Sequence, residues 1–193
     1  GKFQFTLNQY TTTTDTTSPT VSSIYPTDNQ SGVSISDNIS ATFSETMNTT
    51  TVTTNTSDTS CSGTLQVSSD SFSTCVKMIS SPSSSNSNKS FTVDPSDNLS
   101  YSTTYKIRIT TGVKDSSGNT LSSQYETSSG FTTSGLFVTW GNSGTILTSS
   151  DGTTWDNRTS GTSNHLYGVT YGNNTFVGVG VSGTIITSSD GTT

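Results

Sequence analysis

The sequence predicts an all-β chain, a β-sandwich followed by stacked hairpin repeats. Three observations carry that prediction. The first is a near-verbatim repeat, Gly-Thr-Ile-Leu-Thr-Ser-Ser-Asp-Gly-Thr-Thr at 144–154 and Gly-Thr-Ile-Ile-Thr-Ser-Ser-Asp-Gly-Thr-Thr at 183–193, whose offset of 39 residues is the length of a small β unit. The second is a series of short alternating segments, such as Ile39, Ala41 and Phe43 or Tyr105, Ile107 and Ile109, with polar residues between them. The third is composition: 26% hydrophobic and 10% charged residues in a chain of 193, the balance rich in Ser, Thr, Asn and Gly. Threonine is a β-former with a polar tip, suited to sheets with one wet face.

The same composition excludes several roles. Seven basic against thirteen acidic residues give a net charge of −6, with the basic residues scattered. Nucleic acid requires a concentrated cationic footprint, so it is excluded as a partner. No apolar run approaches the length of a membrane span, and the N-terminus carries no signal-peptide pattern. Cys61 and Cys75 have two readings, an extracellular disulfide stapling a hairpin or neighbouring strands, which we favour, and a pair of buried free thiols. No partner Cys or His stands near either, so no metal site is expected there.

In chain order, residues 1–10 place Phe3, Phe5 and Leu7 on one side of an extended strand. Such a strand adds to a sheet of its own chain, adds to a neighbouring chain's sheet, or frays. Residues 11–18 read as a Thr-rich linker. Between 19 and 133 the strand candidates are 21–25, 32–35, 38–43, 64–67, 72–78, 90–93, 104–110 and 130–132, a number that fits a sandwich. Lys106 and Arg108 alternate outward. Segment 80–90, mostly Ser and Asn, reads as an exposed loop with nothing to anchor it.

Within 18–133 the ordered set Ser18-Pro19-Thr20-Val21, Tyr25-Pro26, Gly32-Val33, Ile39-Ser-Ala-Thr-Phe43-Ser44-Glu45-Thr-Met47, Tyr101-Ser-Thr-Thr-Tyr105 and Val113-Lys-Asp115-Ser-Ser-Gly118-Asn119-Thr-Leu121 resembles the bacterial Ig-like domain of S-layer and other surface proteins. The resemblance implies a seven- or eight-stranded sandwich acting as spacer, stalk or adhesion module without catalysis. It places Phe43, Met47, Tyr105 and Leu121 in the core. Glu45 is expected to be a solvated or turn-capping carboxylate.

Residues 134–193 resemble one and a half blades of β-propellers with Asp-box motifs, as in sialidase-like and photosystem-assembly-factor-like repeats. Ser149, Asp151, Gly152 and Trp155 carry the motif, and Asp190 and Gly191 begin a second copy. Its role is structural: Asp151 accepts backbone N–H groups across a turn, Gly152 supplies permissive dihedrals, and Trp155 is expected to pack under the turn. Sialidase chemistry needs an arginine cluster, and the segment has Arg158 alone.

No enzyme is expected. The single His165 has no nucleophile–acid partners, and Asp28, Asp37, Asp94 and Asp97 lack the spacing of a calcium loop. No cofactor is called for. The function expected is an extracellular structural or adhesive module of a bacterial surface protein. Its partners are then other copies of itself or neighbouring surface domains. A filament subunit polymerising by strand addition through Phe3, Phe5 and Leu7 is a rival. A second rival is a glycan-binding module using exposed Trp140 and Tyr171.

Overall fold

The computed structural model of the chain describes residues 14–172 and 175–191, and the expected strand at 2–10 lies outside them. The first domain is a two-sheet sandwich. One sheet has the order β1 (Val21–Tyr25), β2 (Ile39–Phe43), β5 (Ser90–Val93), β4 (Ser83–Ser85). The other runs β3 (Leu65–Ser68), β6 (Thr104–Ile109), β7 (Tyr125–Glu126), with β8 (Phe131–Thr132) also on β6.

Alternation decides which side chains go inward. Ile39, Ala41 and Phe43 of β2, Phe91 and Val93 of β5, and Tyr105, Ile107 and Ile109 of β6 are all buried, while the residues between them are less so. Phe43 meets Phe91 edge-on at 5.9 Å, and Tyr105 stacks on its cross-strand partner Phe131 at 5.7 Å. Met47, Val113 and Leu121 close the ends of the core. Lys106 and Arg108 do alternate outward but are engaged: Lys106 lies 3.9 Å from Glu126, and Arg108 covers the Phe72 ring and donates to Gln66 Oε1.

Three segments differ from expectation. The candidate at 32–35 forms no strand and contributes a single parallel bridge, Val33 to Thr133. The stretch 72–78 is no strand. Ser71 and Phe72 have left-handed backbones, and the Cys61–Cys75 disulfide ties this loop to the loop before β3. Gln66 Nε2 donates to the Cys61 and Gly63 carbonyls and Cys75 N–H to the Thr59 carbonyl, so the bridge sits in a hydrogen-bonded frame. The serine segment, in turn, is no loose loop. Asn86, Ser87 and Asn88 all turn left-handed and fold β4 back onto β5. All three β4 side chains are exposed, so the strand leaves no apolar signal to read.

The second region holds two antiparallel three-stranded sheets. The first is β9 (Phe137–Trp140), β10 (Ile146–Ser149) and β11 (Asp156–Arg158), with β10 central. The second is β12 (Leu166–Gly172), β13 (Thr175–Gly180) and β14 (Ile185–Ser188), with β13 central. Between β9 and β10, and again between β13 and β14, the chain makes one tight turn in which Ser143 and Gly144, or Ser182 and Gly183, are left-handed. The 39-residue period therefore repeats in backbone conformation as well as in sequence.

The bridge closes a loop of 14 residues, for which chain entropy gives about 3 kcal/mol. A Cys61→Ser, Cys75→Ser double variant is expected to lose roughly that much stability in urea titrations, with β3 still paired to β6.

Candidate functional site

The Ser-Ser-Asp triplet builds one turn in both repeats and a wider relative of it at Ser68–Asp70. At 149–151 the Ser149 hydroxyl donates to Asp151 Oδ1 at 2.9 Å and accepts the N–H groups of Asp151 and Gly152. Asp151 Oδ1 in turn accepts the N–H groups of Thr153 and Thr154, both at 2.8 Å. Those backbone donors, with the Ser149 hydroxyl, hold the Asp151 carboxyl far below the usual carboxylate range. Ser188, Asp190 and Gly191 repeat the hydroxyl bonds, and Gly152 and Gly191 share a left-handed φ of 75° and 73°. Trp155 stays 40% exposed, and the ring beside Gly152 is that of Phe137.

The third copy, Ser68–Asp70, went unread in the sequence although its triplet is identical. There Ser68 donates to Asp70 Oδ1 and accepts from the Asp70 and Phe72 N–H groups. The Thr74 hydroxyl and N–H, then Ser68, bring the Asp70 carboxyl down to about 2. This turn fixes the left-handed Phe72 under Arg108.

Asp28 makes a longer-range cap. Its carboxylate accepts the Ser128 hydroxyl at 2.6 Å and the N–H groups of Ser128, Ser129 and Gly130. The Ser128 hydroxyl leads in lowering its pKa; burial opposes, and the three N–H groups reinforce the lowering. Immediately beside it, segments 29–33 and 130–134 run parallel through four backbone bonds. Asn29 N–H reaches the Gly130 carbonyl, Thr132 N–H the Gln30 carbonyl, Val33 N–H the Thr132 carbonyl, and Ser134 N–H the Val33 carbonyl. Asp37, by contrast, accepts the Tyr25 hydroxyl at 2.6 Å.

Asp15, Glu45 and Asp115 bring one carboxylate oxygen each within 4.8 Å of the others. Asp115 is buried and already accepts the Ser117 and Asn119 N–H groups and the Asn119 amide. Glu45 is half-buried rather than solvated. Burial first, then the charges of Asp15 and Asp115, raise its pKa, so its proton relieves the crowding. The three lie 30 and 70 residues apart in sequence, and no local pattern announces them.

The aromatics proposed for glycan contact occupy different sheets. Trp140, 37% exposed, edges an apolar crevice between the two repeats, while Tyr171, 48% exposed, lies against Phe176 at 4.4 Å. His165 is structural: its Nδ1 accepts the Ser143 N–H and its carbonyl the Val181 N–H.

These shifts set an acid limit. Asp28, Asp70, Asp115 and Asp151 have folded pKa values below their unfolded ones, so their contribution is complete above the ordinary carboxylate range near pH 4 and falls away toward pH 2. Glu45 has the opposite sign, its folded pKa being raised, so its protonation strengthens the fold as pH drops toward that range. Melting temperature is expected to hold or rise slightly from neutral pH to about pH 4 and to fall steeply below it. In a Glu45→Gln variant the slight rise should vanish.

Comparison with known proteins places the sandwich. No curated protein matches the chain. Five solved chains do. The surface layer protein SbsC, domains 1–6, aligns at 14% identity and a TM-score of 0.42 over 91% of this chain and 25% of that one. The N-terminal part of the bacterial S-layer protein SbsC aligns at 15% and 0.42, over 89% of this chain and 42% of that one. This chain thus spans less than half the length of those proteins. The model of the bacterial Ig-like domain matches residues 15–133, the whole two-sheet unit with its Asp28 cap and disulfide loop, and the chain belongs to the bacterial Ig-like domain family.

Proposed function

We propose that the chain is an extracellular structural module of a bacterial surface protein, a spacer or stalk that carries tension and performs no catalysis. The ladder between 29–33 and 130–134 is the observation that supports this most directly. The chain enters the sandwich ahead of the first segment and leaves it after the second, and the two run parallel. Pulling on the ends of the domain therefore loads these bonds in shear once force passes the β1–β2 pairing ahead of them, and the Asp28 carboxylate adds its contacts to the same patch. The carboxylates gathered by the turns are bonded to their own backbone, which fits a structural module. The repeats after the sandwich are read as Asp-box, propeller-like units extending the same stalk.

A filament subunit remains a second reading, because among the described residues β1 is an edge strand with β2 as its neighbour in the sheet order, and such an edge accepts an added strand. Under this reading Phe3, Phe5 and Leu7 would be donated to another copy. Negative-stain images of the intact chain and of one lacking residues 1–10 decide it: filaments lost on truncation support donation, and dispersed particles in both refute it.

The stalk reading is tested by single-molecule stretching through the two ends of residues 15–133. A discrete force peak is expected, and gradual extension without a peak would count against it. Reduction should lengthen the unfolded contour by roughly 40 Å, since 14 residues at ~3.4 Å each are released from a bridge spanning 5.0 Å. Asp28→Ala should lower the peak force and cost about 1–2 kcal/mol of stability, the loss moderated by the exposure of the site.

A further inference from the structure

An Asp–Gly step is a chemical weak point in any polypeptide. With no Cβ on the glycine to hinder it, the glycine nitrogen attacks the aspartate Cγ, one carboxyl oxygen leaves as water, and a cyclic imide closes. A second water reopens the ring at either carbonyl, giving the original linkage or a β-linked isoaspartate with no net change in composition. The sequence has two such steps, Asp151–Gly152 and Asp190–Gly191, and no Asn–Gly step. Both stand in the turn that the Ser-Ser-Asp triplet builds.

At 151–152 each group that ring closure needs is already engaged. The nucleophile is the Gly152 nitrogen, and its N–H donates to the Ser149 hydroxyl oxygen at 2.7 Å. The electrophile is the Asp151 carboxyl, whose Oδ1 accepts the Thr153 and Thr154 N–H groups at 2.8 Å and the Ser149 hydroxyl at 2.9 Å. Those bonds keep the carboxyl ionised, and a carboxylate has no hydroxyl to release as water. Burial gives no comparable shelter. Asp151 and Gly152 are exposed, and Ser149 and Asp151 line a pocket shared with Ile35 and Tyr101, so water reaches the step.

Ser149 is the side chain that engages both reacting groups, and it is itself buried. Ser188 repeats both bonds to Asp190 and Gly191. At Ser68–Asp70 the next residue is Ser71, and there the serine hydroxyl takes the Phe72 N–H instead.

We propose that Asp151–Gly152 is a latent self-modification site, forming imide and then isoaspartate, which the Ser149 hydroxyl holds closed. The β-linked product carries one more main-chain carbon between Asp151 and Gly152 and a carboxylate on a shorter branch. Thr153 and Thr154 then lose their acceptor, and the hairpin that sets Thr148 opposite Asp156 loses its turn. The site thus accumulates a record of how often the turn has opened. The proposal rests on the turn geometry and stands whether or not the stalk reading does.

The test incubates the full chain at neutral pH in water enriched in heavy oxygen. Ring opening places a heavy oxygen at the step, which is read by mass spectrometry after digestion, and electron-transfer fragmentation identifies the β-linked product. A synthetic peptide of residues 146–158 is the unstructured reference. The native chain is expected to react at least roughly tenfold more slowly at 151–152 than the peptide, as a turn open less than about a tenth of the time requires. Ser149→Ala should bring the step close to the peptide's rate while Asp190–Gly191, with Ser188 intact, keeps its own. Ser149→Thr retains the hydroxyl and should stay slow, which decides the matter if the alanine variant unfolds and both steps accelerate. A native chain that reacts as fast as the peptide would overturn the proposal. So would Ser149→Ala reacting no faster than the native chain, or Ser149→Thr reacting as fast as Ser149→Ala.

Discussion

The sandwich is closed by a parallel ladder that joins its entry to its exit. Segments 29–33 and 130–134 are about a hundred residues apart in sequence, and their four bonds require the chain after β1 and the chain that carries β8 to be held side by side. Once they are, β8 lies on β6, Phe131 stacks on Tyr105, and Thr133 accepts the Thr103 N–H. The Tyr105 hydroxyl then accepts the Ser100 N–H and ties down the loop before its own strand. Asp28 secures the ladder with one side chain. It answers N–H groups exposed in the turn between β7 and β8, groups that would otherwise need water.

Period-two alternation made β2, β5 and β6 legible, and the core residues Phe43, Met47, Tyr105 and Leu121 are where the pattern and the family resemblance placed them. What could not be read falls into two kinds. β4 buries no side chain and is held by backbone pairing and serine hydroxyl bonds, so a serine-rich strand and a serine-rich loop have the same composition. The segment 72–78 fails for the opposite reason. Its apolar residues suggest a strand, but the Asp70 turn sends Phe72 outward beneath Arg108 while Cys75 and Met78 go inward, and that choice depends on partners remote in sequence. The acidic trio around Glu45 is invisible for the same reason. The Ser-Ser-Asp turn was readable in all three copies, and only its occurrence outside the repeats hid the first.

The repeat region has a direction. The two sheets meet through non-equivalent faces, Val138, Trp140 and Ile146 of the first against Val169, Phe176 and Ile186 of the second, so the contact between the repeats is heterologous. A second pocket joins Ile35 and Tyr101 of the sandwich to Thr148, Ser149 and Asp151 of the first repeat.

Carboxylates that bond to their own backbone have a further consequence. Among the described residues the ion pairs are Lys106 with Glu126 and Arg158 with Asp156, and neither is deeply buried. Asp28, Asp70, Asp115 and Asp151 instead meet hydroxyl and amide dipoles at hydrogen-bond distance, far inside the Debye length of ~8 Å in physiological saline. Dissolved ions screen such contacts poorly. A chain built this way is expected to keep much the same stability from low to high salt, because little of its cohesion is the kind that electrolyte can weaken.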